Sequence, residues 1–209
     1  MRPFDVVDLG RMGYESCRDL QADLLEKVAD GTAPDTLLLV EHDPVLTLGA
    51  NFHAENLLYP QESYAERGTD VFRTERGGDV TYHGPGQLVI YPVFDVAQRG
   101  RDLHVWLRSL EEVTMQAVAS FGLQPRRFPP HTGVWIEDRK VAAIGIRVRR
   151  WVSMHGIALN CDLDLAPFES IVPCGIQGYG VTSLTLETGR PVSVEEAKSE
   201  VIRAFSANP

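Results

Sequence analysis

The residues able to do chemistry fall in a few short stretches. The densest is Arg76-Gly77-Gly78-Asp79-Val80-Thr81-Tyr82-His83-Gly84-Pro85-Gly86-Gln87. Paired glycines let a backbone approach a ligand closely and present N–H donors. Arg76 and His83 are suited to binding or polarising a carbonyl or an anion. The same stretch also fits a tight hairpin turn with solvated polar residues. It is not a phosphate-binding P-loop, because no Gly-Lys-Ser/Thr follows the glycines. Lys140 starts a second stretch, Val141-Ala142-Ala143-Ile144-Gly145-Ile146. Its small residues in a strand pattern leave room for a ligand or another backbone; the alternative is a surface lysine in a hairpin turn. His155-Gly156-Ile157-Ala158-Leu159-Asn160 again sets a glycine inside a strand pattern.

The fourth stretch, Val172-Pro173-Cys174-Gly175-Ile176, puts a thiol between proline and glycine, in a loop. Cys17 lies on the apolar stripe of a helical pattern and reads as structural. Cys161 has Asp162 beside it, which disfavours a thiolate. Cys174 is therefore the candidate nucleophile, with a structural thiol as the alternative. Three cysteines without metal-type spacing argue against a disulfide framework, and no metal is expected. Lys140 is one of only three lysines, beside 17 arginines among the 20 basic residues. A lysine can exchange a proton during turnover, whereas an arginine keeps its own.

The elements that must position these groups follow from periodicity. Strand patterns cover 4–9, 36–41, 45–48, 71–75, 87–94, 134–136, 141–148 and 151–159. Tyr14, Cys17, Leu20, Leu24, Leu25 and Val28 form a helical stripe that Gly31 stops, and a second helix runs from about Asp102 to Phe121. Ser193 and Glu196 have capping-box spacing before a last helix through about Phe205. Residues 49–68 read as a long loop with a short helical turn, of the kind used as a lid or binding loop. Residues 160–181 read as loop. Strands cluster with helices between them, which predicts an α+β (mixed α/β) fold with a largely antiparallel sheet. No composition shift marks a boundary, so 1–209 is expected to be a single domain.

Composition is that of an ordinary globular chain, with 44% hydrophobic and 23% charged residues. The net charge of −9 disfavours nonspecific nucleic-acid binding. No apolar run approaches the ~20 residues of a membrane span, and no signal-peptide pattern opens the chain. A cytoplasmic protein without membrane or nucleic-acid partners is expected. Arg147, Arg149 and Arg150, with Arg126 and Arg127 elsewhere, suggest a local basic surface for an acidic partner.

Taken together, the chemical stretches resemble the lipoyl(octanoyl) transferase family. The resemblance rests on Arg76-Gly77-Gly78-x-x-Thr81-Tyr82-His83-x-x-Gly86-Gln87-x-x-x-Tyr91, then Thr132-Gly133-Val134-Trp135, Lys140 to Gly145, His155 to Asn160 and Pro173-Cys174-Gly175-Ile176, in order along nearly the whole chain. It implies the biotin/lipoate protein ligase fold. It also implies transfer of an octanoyl group from octanoyl-acyl carrier protein to a lysine of lipoyl domains, those of 2-oxoacid dehydrogenase complexes and the glycine cleavage H protein. By motif position, Cys174 would carry the acyl thioester, with Lys140 as its catalytic partner. Arg76, Gly77, Gly78, Asp79, Val80, Thr81, Tyr82 and His83, with Ala143-Ile144-Gly145 and Gly156-Ile157-Ala158, would line the acyl site. The enzyme would act as a monomer without cofactor. An ATP-dependent lipoate-protein ligase of the same fold, a non-catalytic lipoyl-domain scaffold and a His83–Cys174 hydrolase are the alternatives.

Overall fold

Leu37, Leu38, Leu39 and Val40 are all buried, an unbroken apolar run of the kind a strand needs when both its faces are covered. The computed structural model describes residues 3–173 and 178–207. Its large sheet runs through β1 (Asp5–Arg11), β2 (Thr36–Glu41), β6 (Gln87–Val93), β10 (Val152–Asn160), β9 (Arg139–Arg149), β8 (His131–Ile136) and β7 (Arg126–Phe128), in that spatial order. The β1–β2 pair is parallel and the other neighbours along this path are antiparallel. A short β11 (Gly180–Val181) lies parallel to β9, with Val181 opposite Lys140.

The strand period of two divides the run between two cores. Leu37, Leu39, Leu88, Ile90, Ile157 and Leu159 pack with Trp106 and Leu110 of α3 (Leu103–Ala119) and Val201 and Phe205 of α5 (Val194–Ala207). Leu38, Val40, Val89, Tyr91 and Met154 pack with Cys17, Leu25 and Val28 of α1 (Tyr14–Ala29). A second sheet orders β4 (Asp70–Arg73), β3 (Val45–Leu48) and β5 (Val80–His83), with β3 central. Two shorter helices, α2 (Ser63–Glu66) and α4 (Leu184–Thr188), complete the named elements.

Several sequence expectations are corrected. The Arg76–Gln87 stretch is more than a turn, since it contains β5. Residues 160–181 contain β11, and α4 follows where no helix was expected. Lys140 is not in the hairpin turn: the turn is Glu137-Asp138, and Lys140 is a buried strand residue. The capping box at α5 is half made. The Glu196 amide donates to Ser193 Oγ at 3.1 Å, but the Glu196 carboxylate turns to Arg190. Most of the basic surface is paired with carboxylates; Arg126 instead donates to the Glu137 carbonyl at 2.8 Å. Arg147 pairs with Glu75, Arg149 with Glu26, Arg150 with Glu26 and Asp30, and Arg127 with Glu111 and Glu112. Among the described residues, no helix is long and apolar enough to cross a membrane.

Candidate active site

Alternation along β5 decides which of its residues reach the site. Thr81 and His83 line a cleft holding about 470 Å³ of space. Val80 and Tyr82 point to the opposite face, where they pack with Leu46, Leu48, Tyr64 and Phe168. Arg76, Gly77 and Gly78 close one side of the cleft, and Ala143, Ile144 and Gly145 of β9 with Gly156, Ile157 and Ala158 of β10 close the other. Most of the residues singled out in the sequence therefore meet at one place. Asp79, Val80 and Tyr82 do not line it. Tyr14, Val89, Tyr91 and His155 do, although none of them was among the expected site residues. The available signals were Tyr14 on the stripe of α1, the alternation of Val89 and Tyr91, and the position of His155 beside Gly156.

The glycines keep this cleft narrow-walled. A Cβ on Gly145 would lie 2.7 Å from the Gly77 carbonyl oxygen, and one on Gly156 would lie 2.2 Å from that of Ile90. Asp79 works behind the turn. Its Oδ1 accepts from the Val80 amide at 2.7 Å, and its Oδ2 accepts from Asn56 Nδ2 at 2.6 Å and His53 Nδ1 at 3.2 Å. That bond raises the His53 pKa. Asn56 in turn accepts the Val172 amide at 2.8 Å, so Asp79 ties the 49–58 loop to the chain just before Pro173.

A directional hydrogen-bond chain runs beneath the cleft. Arg76 donates to Thr47 Oγ1 from Nε at 3.1 Å and from Nη2 at 2.9 Å, and Thr47 faces His83 Nε2 at 3.4 Å. His83 Nδ1 donates to Gln87 Oε1 at 2.7 Å, and Gln87 Nε2 donates to Asn160 Oδ1 at 2.8 Å. Asn160 Nδ2 donates to the Thr182 carbonyl at 2.8 Å, and the Thr182 amide donates to the Lys140 carbonyl at 3.0 Å. His83 therefore carries its proton on Nδ1 and is neutral. Burial pushes its pKa down to about 3, helped by the nearby His42. His155 is also down at about 3, from burial and then the Arg76 charge, and burial lowers His42. These rings present shape and dipoles, not positive charge.

Lys140 lies at the far end of this chain. It is 7% exposed, with Nζ 4.8 Å from the centroid of the Trp135 ring. Behind it, Gly133 takes φ +122°, and a Cβ there would lie 3.4 Å from Lys140 Cε. Lys140 shares a small recess with Trp135, Pro173, Tyr179, Gly180 and Val181. Cys174 lies outside the described residues, immediately after Pro173 in the chain. The other two cysteines are buried, and burial pushes both thiols up to about 12. For Cys161 this burial outweighs Asp162, the cause expected from the sequence.

The profile of the lipoyl protein ligase A/B catalytic domain matches residues 14–206. The chain belongs to that family. It is similar to the octanoyltransferase of Geobacter metallireducens, at 50% identity over 198 residues, which cover 95% of this chain and 90% of that one. A bi-partite lipoate protein ligase from Thermoplasma acidophilum shares the fold at TM-score 0.74 and 18% identity, over 100% of this chain and 84% of that one. A biotin protein ligase from Aquifex aeolicus shares it at TM-score 0.56 and 13% identity, over 98% and 69%. The expected biotin/lipoate ligase fold is thus the fold observed. Within this lipoyl protein ligase domain, the apolar cleft, the neutral histidines and the buried lysine form one connected unit.

Proposed function

We propose that the chain is an octanoyltransferase. It takes an octanoyl group from the thioester of acyl carrier protein onto Cys174 and passes it to a lysine of lipoyl domains. Those of 2-oxoacid dehydrogenase complexes and the glycine cleavage H protein are the acceptors this reading assigns. The observation that carries it is the apolar cleft that shares Gly77, Gly78, Ile144 and Gly145 with a groove lined by buried Lys140, in a chain half identical to a named octanoyltransferase. The cleft walls Ala143–Gly145 and Gly156–Ala158 suit an alkyl chain, each buried methylene contributing about 0.8 kcal/mol. Pro173 in the wall of the Lys140 recess supports a Cys174–Lys140 pair. The reading takes 1–209 as one cytoplasmic catalytic domain that acts as a monomer.

In the first half-reaction Lys140 accepts the Cys174 thiol proton, and the thiolate attacks the donor carbonyl. A new C–S bond forms, the donor C–S bond breaks, and the leaving thiolate takes the proton from Lys140. In the second, the acceptor lysine amine attacks the acyl-cysteine and gives its proton to Lys140. The C–N bond forms, the Cys174 C–S bond breaks, and the proton returns to sulfur. One thioester is exchanged for another, then for an amide, so the sequence runs downhill without nucleotide. Arg76 and the histidines shape the cleft and hold its dipoles.

Intact-mass measurement after mixing with octanoyl-acyl carrier protein tests the proposal. One octanoyl group should appear on the wild type, map to Cys174, and leave when an apo lipoyl domain is added. Cys174→Ala should take up none. A persistent adduct in Cys174→Ala, or transfer that requires ATP, would overturn it.

A further inference from the structure

The acyl cleft adjoins a second depression, and that one is lined by Lys140. This open groove of about 730 Å³ is walled by Leu107 of α3, by Pro130, His131 and Thr132 at the start of β8, and by Ile146 of β9. It also touches Gly77, Gly78, Ile144 and Gly145, which line the acyl cleft too. Groove and cleft thus meet across a partition made largely of backbone. At that partition the Gly77 amide donates to the Ile146 carbonyl at 2.9 Å. Gly145 lies so close beneath that its absent Cβ would be 2.7 Å from the Gly77 oxygen. Lys140 is one of the groove's walls.

We infer that this groove holds the thiol-bearing arm of the acyl donor, a pantetheine-type chain of amides and methylenes. The inference rests on the octanoyltransferase reading and names where the rest of the donor lies. With the octanoyl chain in the cleft and its carbonyl at the wall the two depressions share, the sulfur and the arm behind it leave through the groove that Lys140 lines. The other recess that Lys140 lines, with Trp135 and Tyr179 among its walls, is smaller, at about 240 Å³. The groove wall also suits the arm chemically. Leu107, Pro130 and Ile146 offer apolar surface for its methyl and methylene groups, and His131 and Thr132 offer side-chain donors and acceptors for its amides. A lysine side chain of the acceptor has no amide along its length and would use few of these partners.

Self-acylation by two small donors tests this: octanoyl-pantetheine, which carries the full arm, and the octanoyl thioester of N-acetylcysteamine, which carries only its last amide. The wild type should prefer the full arm by about tenfold in kcat/KM, a factor typical of one or two retained contacts. Leu107→Trp, which fills the groove, should bring the two donors within about threefold of each other by slowing only the longer one. Thr132→Val, nearly isosteric, should reduce the preference in the same direction, and it tests the idea even if the tryptophan variant does not fold. Free pantetheine should compete with the short donor on wild-type protein.

Equal slowing of both donors, or an unchanged preference in both variants, would overturn the assignment. So would a Leu107→Trp enzyme that acylates normally with both donors yet fails to transfer to the lipoyl domain, because the groove would then belong to the acceptor. A wild type that takes octanoyl from neither donor would instead refute the octanoyltransferase reading itself.

Discussion

Thr47→Val removes one hydroxyl at nearly constant volume, from the point where β3 meets Arg76. Thr47 Oγ1 accepts two bonds from the buried guanidinium, at 2.9 and 3.1 Å. Hydrogen bonds to a charged group contribute about 1.5–3 kcal/mol. Arg76 Nη2 keeps its bond to the Thr47 carbonyl at 2.6 Å, which limits the loss. The contact with His83 Nε2, at 3.4 Å, is long and adds little. The expected cost is about 2–3 kcal/mol, and at this chain length Tm should fall by about 4–12 °C. Urea unfolding followed by tryptophan fluorescence measures it. A double-mutant cycle with Arg76→Met isolates the cause. Without the guanidinium, Thr47→Val should cost no more than about 1 kcal/mol. If the two substitutions add within about 0.5 kcal/mol, Arg76 and Thr47 are uncoupled and the reasoning fails.

His83 and His155 bind a proton in the unfolded chain below about pH 6.5 but in the folded one only near 3. The unfolded state therefore takes up more protons between those values. Stability is full above the upper value and falls as pH drops through the window. Urea midpoints should be lower at about pH 5 than at about pH 7.5, and a flat profile would contradict the burial argument. With Cys17 and Cys161 pushed up to about 12, a chromogenic disulfide reagent should label one thiol quickly in the native chain and all three in urea; fast labelling of two would be inconsistent. Lys140→Arg keeps a cation that cannot take a proton. Its charge still favours the Cys174 thiolate, whose proton water can take, so it should retain part of its self-acylation yet lose most transfer to the lipoyl domain in rapid-quench measurements, and full transfer would remove the proton-carrier role. Asn160→Asp preserves shape and the acceptor for Gln87 but cannot donate to Thr182. It should lower kcat by about tenfold with little change in donor KM, and an equal rise in KM would point to the cleft instead.

The parts of the fold legible in the sequence are those whose neighbours are implied by periodicity. The stripes of α1 and α3 and the apolar runs of β2, β6 and β10 each imply a covered face. β5 was hidden because its four residues, Val80–His83, carry as much polar as apolar character. β11 is two residues long and exists only because β9 lies beside it. In the site, a contiguous motif was legible but its two faces were not. Asp79, Val80 and Tyr82 stand in the same run as Thr81 and His83, yet only the strand's orientation separates them. Ion pairing was not legible either. Arg149 and Arg150 look like a basic patch until Glu26 and Asp30, more than a hundred positions earlier, fold against them.

The central place of β10 bears on how the chain is made. Its neighbours β6 and β9 join the two halves of the large sheet only through it. The backbone amide of His155 within it also donates to Gln21 Oε1, 134 residues earlier. A ribosome adding about 5–20 residues per second needs about 7–27 s to pass from one to the other. β6, complete at Val93, waits about 3–12 s of that for Val152, and until then it presents an unpaired edge, the kind of template on which nascent chains associate. A transcript or protease cut ending before Val152 would leave that edge open permanently, so truncated products should aggregate and not persist as partly active fragments.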